Sequence, residues 1–486
     1  LNFELMESPR RNRWLSLSVA SLASLIVTAD SGQLSIALPV IIGEFHADIT
    51  LAGWLAVVYA LVTASLYMPC GRLSDLAGIG KLFKIGFIIY SASSLAAGFA
   101  QGAAQLVFFR ALQGVGSALI MANNFALVTA LFPPEERGRA MGIAGGTVSA
   151  LGYSLGPVLG GLVTHTLGWR SNFYLSAALA VIGFAAARSL LPPETLKGTM
   201  TRRAPFDFIG AGAFSLSISL LLVALTTAQK GSWHGPLIAA EFAGGVVMLA
   251  FFIFWERRCR DPLLDLALFR IAAFALGNAA RLISFVTMSI NNLLMPFFLQ
   301  LAMGLDPLQA GFLVAPTPVA MALLAPLTGW LSEKCMPERM GALGLLTTSI
   351  AFAGLTFLKP STTAFEVVFW LALLGVGMGI FQTPNNNLLM SSLPRQRLGI
   401  GSSFLSIVRS VGYSTGAALG ATIVSAQLAS VTRQTSLQDL QRAAAPGDGG
   451  PMLAAFMLGF RYAFLAAVVI CLIGAALSAI RVSRLR

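Results

Sequence analysis

The sequence predicts an all-α polytopic membrane protein of fourteen transmembrane helices, arranged as two related six-helix halves with an inserted helix pair. Three observations predict it. Hydrophobic residues make up 56% of the 486 residues and charged residues only 11%, where a soluble domain carries about 25% charged. Apolar runs of about 20 residues, long enough to cross ~30 Å of hydrocarbon, recur along the whole chain. Motifs of the first six runs return, in the same order, in the last six.

The runs fall near 15–40, 52–71, 82–101, 104–131, 140–165, 171–191, 207–229, 236–255, 271–301, 308–332, 341–358, 364–391, 399–428 and 453–480. They divide the chain into an N-terminal segment 1–13, a half 14–191, a linker 192–270 carrying runs seven and eight, a half 271–481 and a tail 482–486. Leu1 to Leu5 precede Met6 and are set aside. The first run is too long for the apolar core of a signal peptide and is read as a retained span. Pro39, Pro69, Pro157, Pro296, Pro316, Pro318, Pro326 and Pro384 lie in or at the ends of runs, so bends are expected, with neighbouring helices satisfying the freed backbone groups. The longest hydrophilic stretches, 192–206, 256–270 and 429–452, are too short for a separate soluble domain.

The net charge of +12 does not point to nucleic acid, because the basic residues sit in short loops between apolar runs. Of the 32 Lys and Arg, 23 fall on the side of the N-terminus and 5 on the other. That asymmetry predicts both termini in the cytoplasm and suits anionic lipid. The four others, Arg110, Arg281, Arg409 and Arg461, lie inside runs. Cys70, Cys259, Cys335 and Cys471 have no paired spacing, so neither disulfides nor a zinc site are expected. His46, His165 and His234 read as solvated loop residues. No nucleotide, metal or other cofactor motif appears. Gly80-Lys81 is followed by Leu82 and lacks the leading glycine of a phosphate loop, which argues against an ATP-driven pump.

The repeat is specific. Gly152-Tyr153-Ser154-Leu155-Gly156 returns as Gly412-Tyr413-Ser414-Thr415-Gly416, and the same offset relates Gly160 to Gly420 and Arg137 to Arg397. Gly71, Leu73 and Asp75 reappear as Gly329, Leu331 and Glu333, Gly114-Val115-Gly116 as Gly375-Val376-Gly377, and Asn123-Asn124 as Asn385-Asn386. Runs seven and eight have no counterpart. Two related halves enclosing a cavity that opens alternately to each side is the expected product.

Charges inside a membrane are costly unless paired or wetted, and so mark function. Asp30 lies about 22 Å along the first run and Arg110 about 9 Å into the fourth, which runs the other way. In a core of ~30 Å they reach similar depth. Pairing is therefore expected, with Asp30 binding a transported proton and Arg110 setting how firmly it is held. A static structural ion pair is the alternative. In the second half, Arg281 and Arg409 stand roughly 15–18 Å from the N-terminal side, and no acid lies at similar depth. Two readings stay open there: an anionic or zwitterionic cargo, or arginines bonded to backbone carbonyls or snorkelling. Trp54, Tyr59, Asn123, Asn124, Asn291, Asn292, Phe381, Gln382, Asn385 and Asn386 are further cavity candidates; amides inside a membrane need partners, so they line either a cavity or a helix contact.

The stretch Gly71-Arg72-Leu73-Ser74-Asp75-Leu76-Ala77-Gly78-Ile79-Gly80-Lys81 resembles the signature loop of the major facilitator superfamily, with Gly71, Leu73, Asp75, Gly78 and Lys81 in place. Leu76 and Ile79 stand where that pattern is usually basic. Gly152, Gly156, Pro157, Gly160 and Gly161 resemble its antiporter motif: glycines four apart allow close helix packing, and Pro157 allows a bend. Asp30 to Pro39 resembles the signature of its fourteen-span drug:proton antiporters, with Gly32 and Ser35 in place of the usual Thr and Asn. Arg110-Ala111-Leu112-Gln113-Gly114 matches the Arg-x-x-Gln-Gly pattern. The resemblance implies a plasma-membrane (bacterial inner-membrane) exporter of hydrophobic or amphiphilic small molecules. It would work by proton antiport and alternating access, as a monomer, with Gln113 joining Asp30 and Arg110 and the 71–81 loop acting as a gate. The alternatives are a transporter of a specific anionic or lipid-like metabolite, or a non-transporting receptor or scaffold. An enzyme is not expected.

Overall fold

The computed structural model describes residues 10–45, 49–193, 206–228, 235–305, 307–334, 336–430 and 450–480. His46, His234, Cys335 and most of the stretches 192–206 and 429–452 lie outside the described residues. Among the described residues, the helices group into fourteen successive rods. They are α1 (Arg10–Phe45), α2 (Ile49–Ala77), α3 (Ile79–Gly98), α4 (Ala103–Leu131), α5 (Pro134–Met141, a π-helical stretch Gly142–Thr147, then Val148–Leu167), α6 (Arg170–Leu190), α7 (Phe208–Ala228) and α8 (Pro236–Glu256). The rest are α9 (Ala272–Phe297, continued by the π-helical Phe298–Ala302), α10 (Pro307–Val314 and Pro316–Lys334), α11 (Pro337–Leu355), α12 (Ala364–Ser391), α13 (Leu398–Ala429) and α14 (Pro451–Ala479). Among the described residues, ten are long and apolar enough to cross a membrane by themselves, and the bent α5, taken as one span, makes an eleventh. The expected count of fourteen is compatible with α2, α11 and α13: even α11, at 19 residues, reaches about 28 Å. The face at which α1 begins is called the N-face below.

The repeat in sequence is a repeat in packing. In the first half α1 packs on α5 and α6, α4 on α2 and α3, and α3 on α6. Eight helices later, α9 packs on α13 and α14, α12 on α10 and α11, and α11 on α14. Glycines set the shared contact. A Cβ at Gly156 would stand 2.6 Å from the Ala29 carbonyl of α1, and at Gly412 2.7 Å from Phe285 Cβ of α9. Only bare backbone allows rods to approach this closely. The expected bend is present: the two parts of α5, Pro134–Tyr153 and Val158–Leu167, are inclined at 47°. The π-helical stretch and Gly152 precede the bend, and Pro157 falls within it; π-bulges and prolines are known causes of kinks. Pro69, Pro296, Pro326 and Pro384 sit inside helices, whereas Pro316 restarts α10 after its break.

The inserted pair does not stand apart. α7 and α8 pack on each other, and α7 also packs on α2 of the first half and α13 of the second. The Ser215 hydroxyl donates to the Ser65 carbonyl of α2 at 2.9 Å. The stretch 256–270, read from sequence as hydrophilic, is partly buried. Leu263, Leu264 and Leu268 are buried, the Leu264 N–H donates to Glu256 at 3.2 Å, and Asp265 pairs with Arg397 at 3.4 Å. These three buried leucines supply the apolar anchor, and the linker is pinned to the start of α13.

Candidate functional site

Four elements place one charged network in the first half. Arg110 Nη1 meets Asp30 Oδ2 at 2.6 Å, so the α1 acid and the α4 base do lie at one depth. The same nitrogen donates to Gln113 Oε1 at 2.7 Å. The Gln113 amide then donates to Asp30 Oδ1 at 3.1 Å and to the Ser94 hydroxyl of α3 at 2.8 Å. Arg110 and Gln113 share a face of α4 because residues three apart are neighbours on a helix. All three side chains are buried. The guanidinium also lies 4.4 Å from the centre of the Tyr59 ring of α2, and the Tyr59 hydroxyl donates to Ser117 at 2.8 Å.

Beside this network, between the halves, is a cavity of about 210 Å³. α1 contributes Val27 and Thr28, α2 contributes residues from Val57 to Tyr67, and α13 contributes Arg409, Ser410, Tyr413 and Ser414. Tyr153 of α5 and Ser117 of α4 complete it, with Leu222 and Thr226 of the inserted α7. Asp30 does not line it. That carboxylate faces a separate small crevice with Gln33, Leu34, Ala37, Asn172 and Phe173, and Tyr59 lines the cavity on one side while meeting Arg110 on the other.

Of the cavity candidates read from sequence, Tyr59 and Arg409 line this space. Trp54 is exposed near the start of α2 and Asn292 is exposed on α9. Asn123 bonds the Leu119 carbonyl of its own helix, and Asn124 ties α4 to Ser24 of α1 at 2.6 Å. Asn291 and Gln382 are buried away from it, and Phe381 sits in a small apolar cluster with Ala280, Leu345 and Ala475. Asn385 holds the Gly277 carbonyl at 3.1 Å, and Asn386 accepts from Arg281. Asn124, Asn385 and Asn386 therefore hold helices together. Arg281 also donates to the Leu405 carbonyl at 3.2 Å and lies 4.9 Å from the Phe285 ring. It takes the backbone-bonded alternative. Arg409 does not: it donates a long hydrogen bond, 3.4 Å, to the Tyr67 hydroxyl. Tyr67, Tyr153 and Tyr413 are cavity residues that sequence reasoning missed. The signal was available for two of them, since Tyr153 and Tyr413 are repeat mates.

The signature stretch is mostly helix rather than loop. α2 runs through Ala77, and Gly78, at φ 104°, makes the turn into α3; such a φ favours glycine. Lys81 and Leu73 are exposed. Gly71 and Gly399 face each other across the two halves, where a Cβ on either would lie 2.5 Å from the other's carbonyl. Asp75 crosses the same seam. Its oxygens accept the Gly399 N–H at 2.8 Å and the Ile400 N–H at 3.2 Å, capping the N-terminus of α13, where helix N–H groups are unsatisfied and the dipole favours negative charge. The second seam matches it. Gly138 of α5 meets the Gly329 carbonyl of α10, the Arg139 N–H donates to Glu333 at 2.9 Å, and Thr147 donates to the Ala322 carbonyl at 2.7 Å. At Gly160 a Cβ would touch Gln33 of α1, while Gly161 is half-buried. Both seams are therefore closed at the N-face, and the cavity lies beyond the closure.

Asp75 stands past the apolar run 52–71, at the N-face end. Burial pushes its carboxyl up to about 7, against the two backbone N–H groups and the nearby Arg72 and Arg397, which pull it down. An exposed Asp sits near ~3.9. The closed seam therefore binds this proton more tightly than an opened seam would. Its stabilisation is full below ~4 and is lost as pH rises through about 7. N-face labelling of a cysteine in the cavity is expected to speed up between pH 6 and 8, and Asp75→Asn to flatten that profile.

Comparison with known proteins agrees with this architecture. The family model for the Major Facilitator Superfamily matches residues 20–417. The riboflavin transporter RibZ of Clostridioides difficile (strain 630) is 29% identical over 416 residues, covering 84% of this chain and 87% of its own. The transporter YebQ of Escherichia coli (strain K12), itself uncharacterized, is 30% identical over 411 residues, covering 85% and 89%. The multidrug resistance protein Stp of Mycobacterium tuberculosis (strain CDC 1551 / Oshkosh) is 29% identical over 419 residues, covering 86% and 77%. In fold, the crystal structure of the human organic anion transporter MFSD10 (TETRAN) matches with a TM-score of 0.67 at 14% identity, over 97% of this chain and 100% of that one. The family match along most of the length, together with the repeated helix packing, means that this multi-pass membrane protein belongs to the Major Facilitator Superfamily.

Proposed function

We propose that this transporter exports hydrophobic or amphiphilic small molecules in exchange for protons, by alternating access of the inter-half cavity. The observation that carries the reading is Tyr59. It forms part of the cavity wall and lies 4.4 Å from the guanidinium that pairs with Asp30. Cargo that shifts this ring disturbs the partner of a buried carboxylate, and protonation of that carboxylate frees Arg110 to move the ring. Buried ions are stable only while paired, so the two events are coupled. The 71–81 stretch is then the gate, closing the N-face through Asp75. Names among the relatives point the same way: a tetracenomycin C resistance and export protein and a probable actinorhodin transporter lie beside Stp. On the charge asymmetry of the loops, we place the N-face and both termini in the cytoplasm of a bacterial inner membrane, with 14–191 and 271–481 as the rocking halves of a working monomer.

The test is the purified chain in proteoliposomes with an imposed pH gradient and a fluorescent amphiphile. Accumulation against the amphiphile's own gradient, abolished by a protonophore, is expected. Equilibration without accumulation would exclude proton antiport, and no movement at all would favour the receptor alternative.

A further inference from the structure

Two arginines of the second half lie inside the membrane, and they are held differently. Arg281 is committed to the Leu405 carbonyl, the Asn386 amide oxygen and the face of Phe285. Arg409 is the one charged side chain among the described residues lining the cavity. Among the described residues it makes no ion pair, and its hydrogen bond to the Tyr67 hydroxyl, at 3.4 Å, is long for such a contact. The Asp30 carboxylate is already occupied by Arg110 and Gln113 and faces another crevice. A guanidinium about 16 Å along α13, near mid-membrane, is costly without a counter-charge. The cavity thus offers a cation with no acid opposite it among the described residues.

Its surroundings set the rest of the chemistry. Tyr67, Tyr153 and Tyr413 stand around Arg409, and Tyr59 closes the far wall. Aromatic faces hold other rings in offset or edge contacts, and the guanidinium fork matches a carboxylate in two parallel hydrogen bonds. The space of about 210 Å³ exceeds the ~150 Å³ that holds one benzene ring, so it suits one or two fused rings with the remainder of a larger molecule projecting outward. Leu222 and Thr226 of α7 make part of this wall, so the inserted pair helps to shape the pocket.

We propose that the cavity binds a planar aromatic anion, its acidic group on Arg409 and its rings among the tyrosines. This rests on the transport reading for its purpose and deepens it by naming the cargo's charge and shape. The test uses binding, which needs no proton gradient. The full chain in detergent is titrated by calorimetry with three probes of one shape: 2-naphthoate, 2-naphthylmethanol and 2-naphthylmethylammonium. The naphthoate is expected to bind roughly 10- to 100-fold tighter than the others, the worth of charged hydrogen bonds. Arg409→Gln should erase that preference while leaving the alcohol's affinity and the melting temperature unchanged, and Arg409→Lys should keep only part of it.

Equal or tighter binding of the ammonium probe overturns the proposal. So does an Arg409→Gln variant that keeps the naphthoate preference or loses all three probes alike, and so does a wild-type chain that binds none of them. Asp30→Asn is expected to retain naphthoate binding; if it does so without uphill transport in wild type, the antiport reading fails and the binding proposal stands.

Discussion

Replacing Asp30 by Asn is expected to abolish uphill transport while leaving the protein folded. A two-unit pH gradient supports accumulation of up to ~100-fold for one proton exchanged per cargo molecule, a factor of ten for each unit. The variant should bring the accumulation ratio to about 1 and still allow downhill exchange. The amide keeps an oxygen to accept from Arg110, which sits 2.6 Å from Asp30 Oδ2, but its NH2 cannot accept the Gln113 N–H that Asp30 Oδ1 takes, so one of the network's hydrogen bonds is given up. What is lost is the group that can gain and lose a proton. Removing one ion of a buried pair leaves an uncompensated charge at a cost of about 3–5 kcal/mol. The melting temperature must therefore be measured alongside, and Asp30→Glu, which restores a titratable group, should recover part of the accumulation. Retained uphill transport in the Asn variant would remove Asp30 from the coupling step.

A second large effect is expected from Gly138→Val. At this point α5 and α10 touch backbone to backbone, and an added Cβ would meet the Gly329 carbonyl, with Ser332 Oγ at 2.7 Å and Asn387 Nδ2 at 3.1 Å. A carbonyl on a packed helix cannot step aside as a side-chain tip does. Overpacking of this kind costs about 1–3 kcal/mol, and the whole cost falls on the state in which the N-face is closed. The population should move toward the N-face-open state by roughly 5- to 150-fold. With Ser414→Cys as a reporter in the cavity, labelling from the N-face should accelerate and labelling from the opposite face should slow. Unchanged rates from both faces would show that the Gly138–Gly329 contact does not hold the seal.

The fold was legible in the sequence because membranes leave few choices. Apolar runs of one length announce the spans, and the 260-residue offset between Gly152-Tyr153 and Gly412-Tyr413 announces the two halves. The Asp30–Arg110 pair was legible for a related reason: a charge in hydrocarbon must find a partner, and depth along two opposed helices says which one. The cavity was not legible. Whether a side chain faces the space between the halves depends on the rotation of each rod, and that rotation is set by glycine contacts between distant segments. Asn124, Asn385 and Asn386 satisfy the same rule about buried amides by holding helices together as they would by lining a pocket, and Asn123 satisfies it within its own helix. Arg281 and Arg409 look alike in the sequence, and only Asn386 and the Leu405 carbonyl tell them apart. The repeat did contain a clue to the tyrosines: symmetric positions meet at a symmetric space.

The place of α7 bears on how the molecule moves. A two-half transporter has two flanks at which its halves slide past each other. Here one flank, at α5 and α10, is a bare contact between the halves, whereas the other, at α2 and α13, has a third rod laid along it. Ser215 of α7 is bonded to Ser65 of α2, so in the proposed rocking motion that rod would travel with the first half and α13 would glide over it. The two flanks then differ in friction and in what they admit: acyl chains can wedge into one, while the other stays sheathed in protein throughout the cycle. A bilayer that changes in thickness or fluidity would load the two sides unequally, making this a lopsided machine on a symmetric plan.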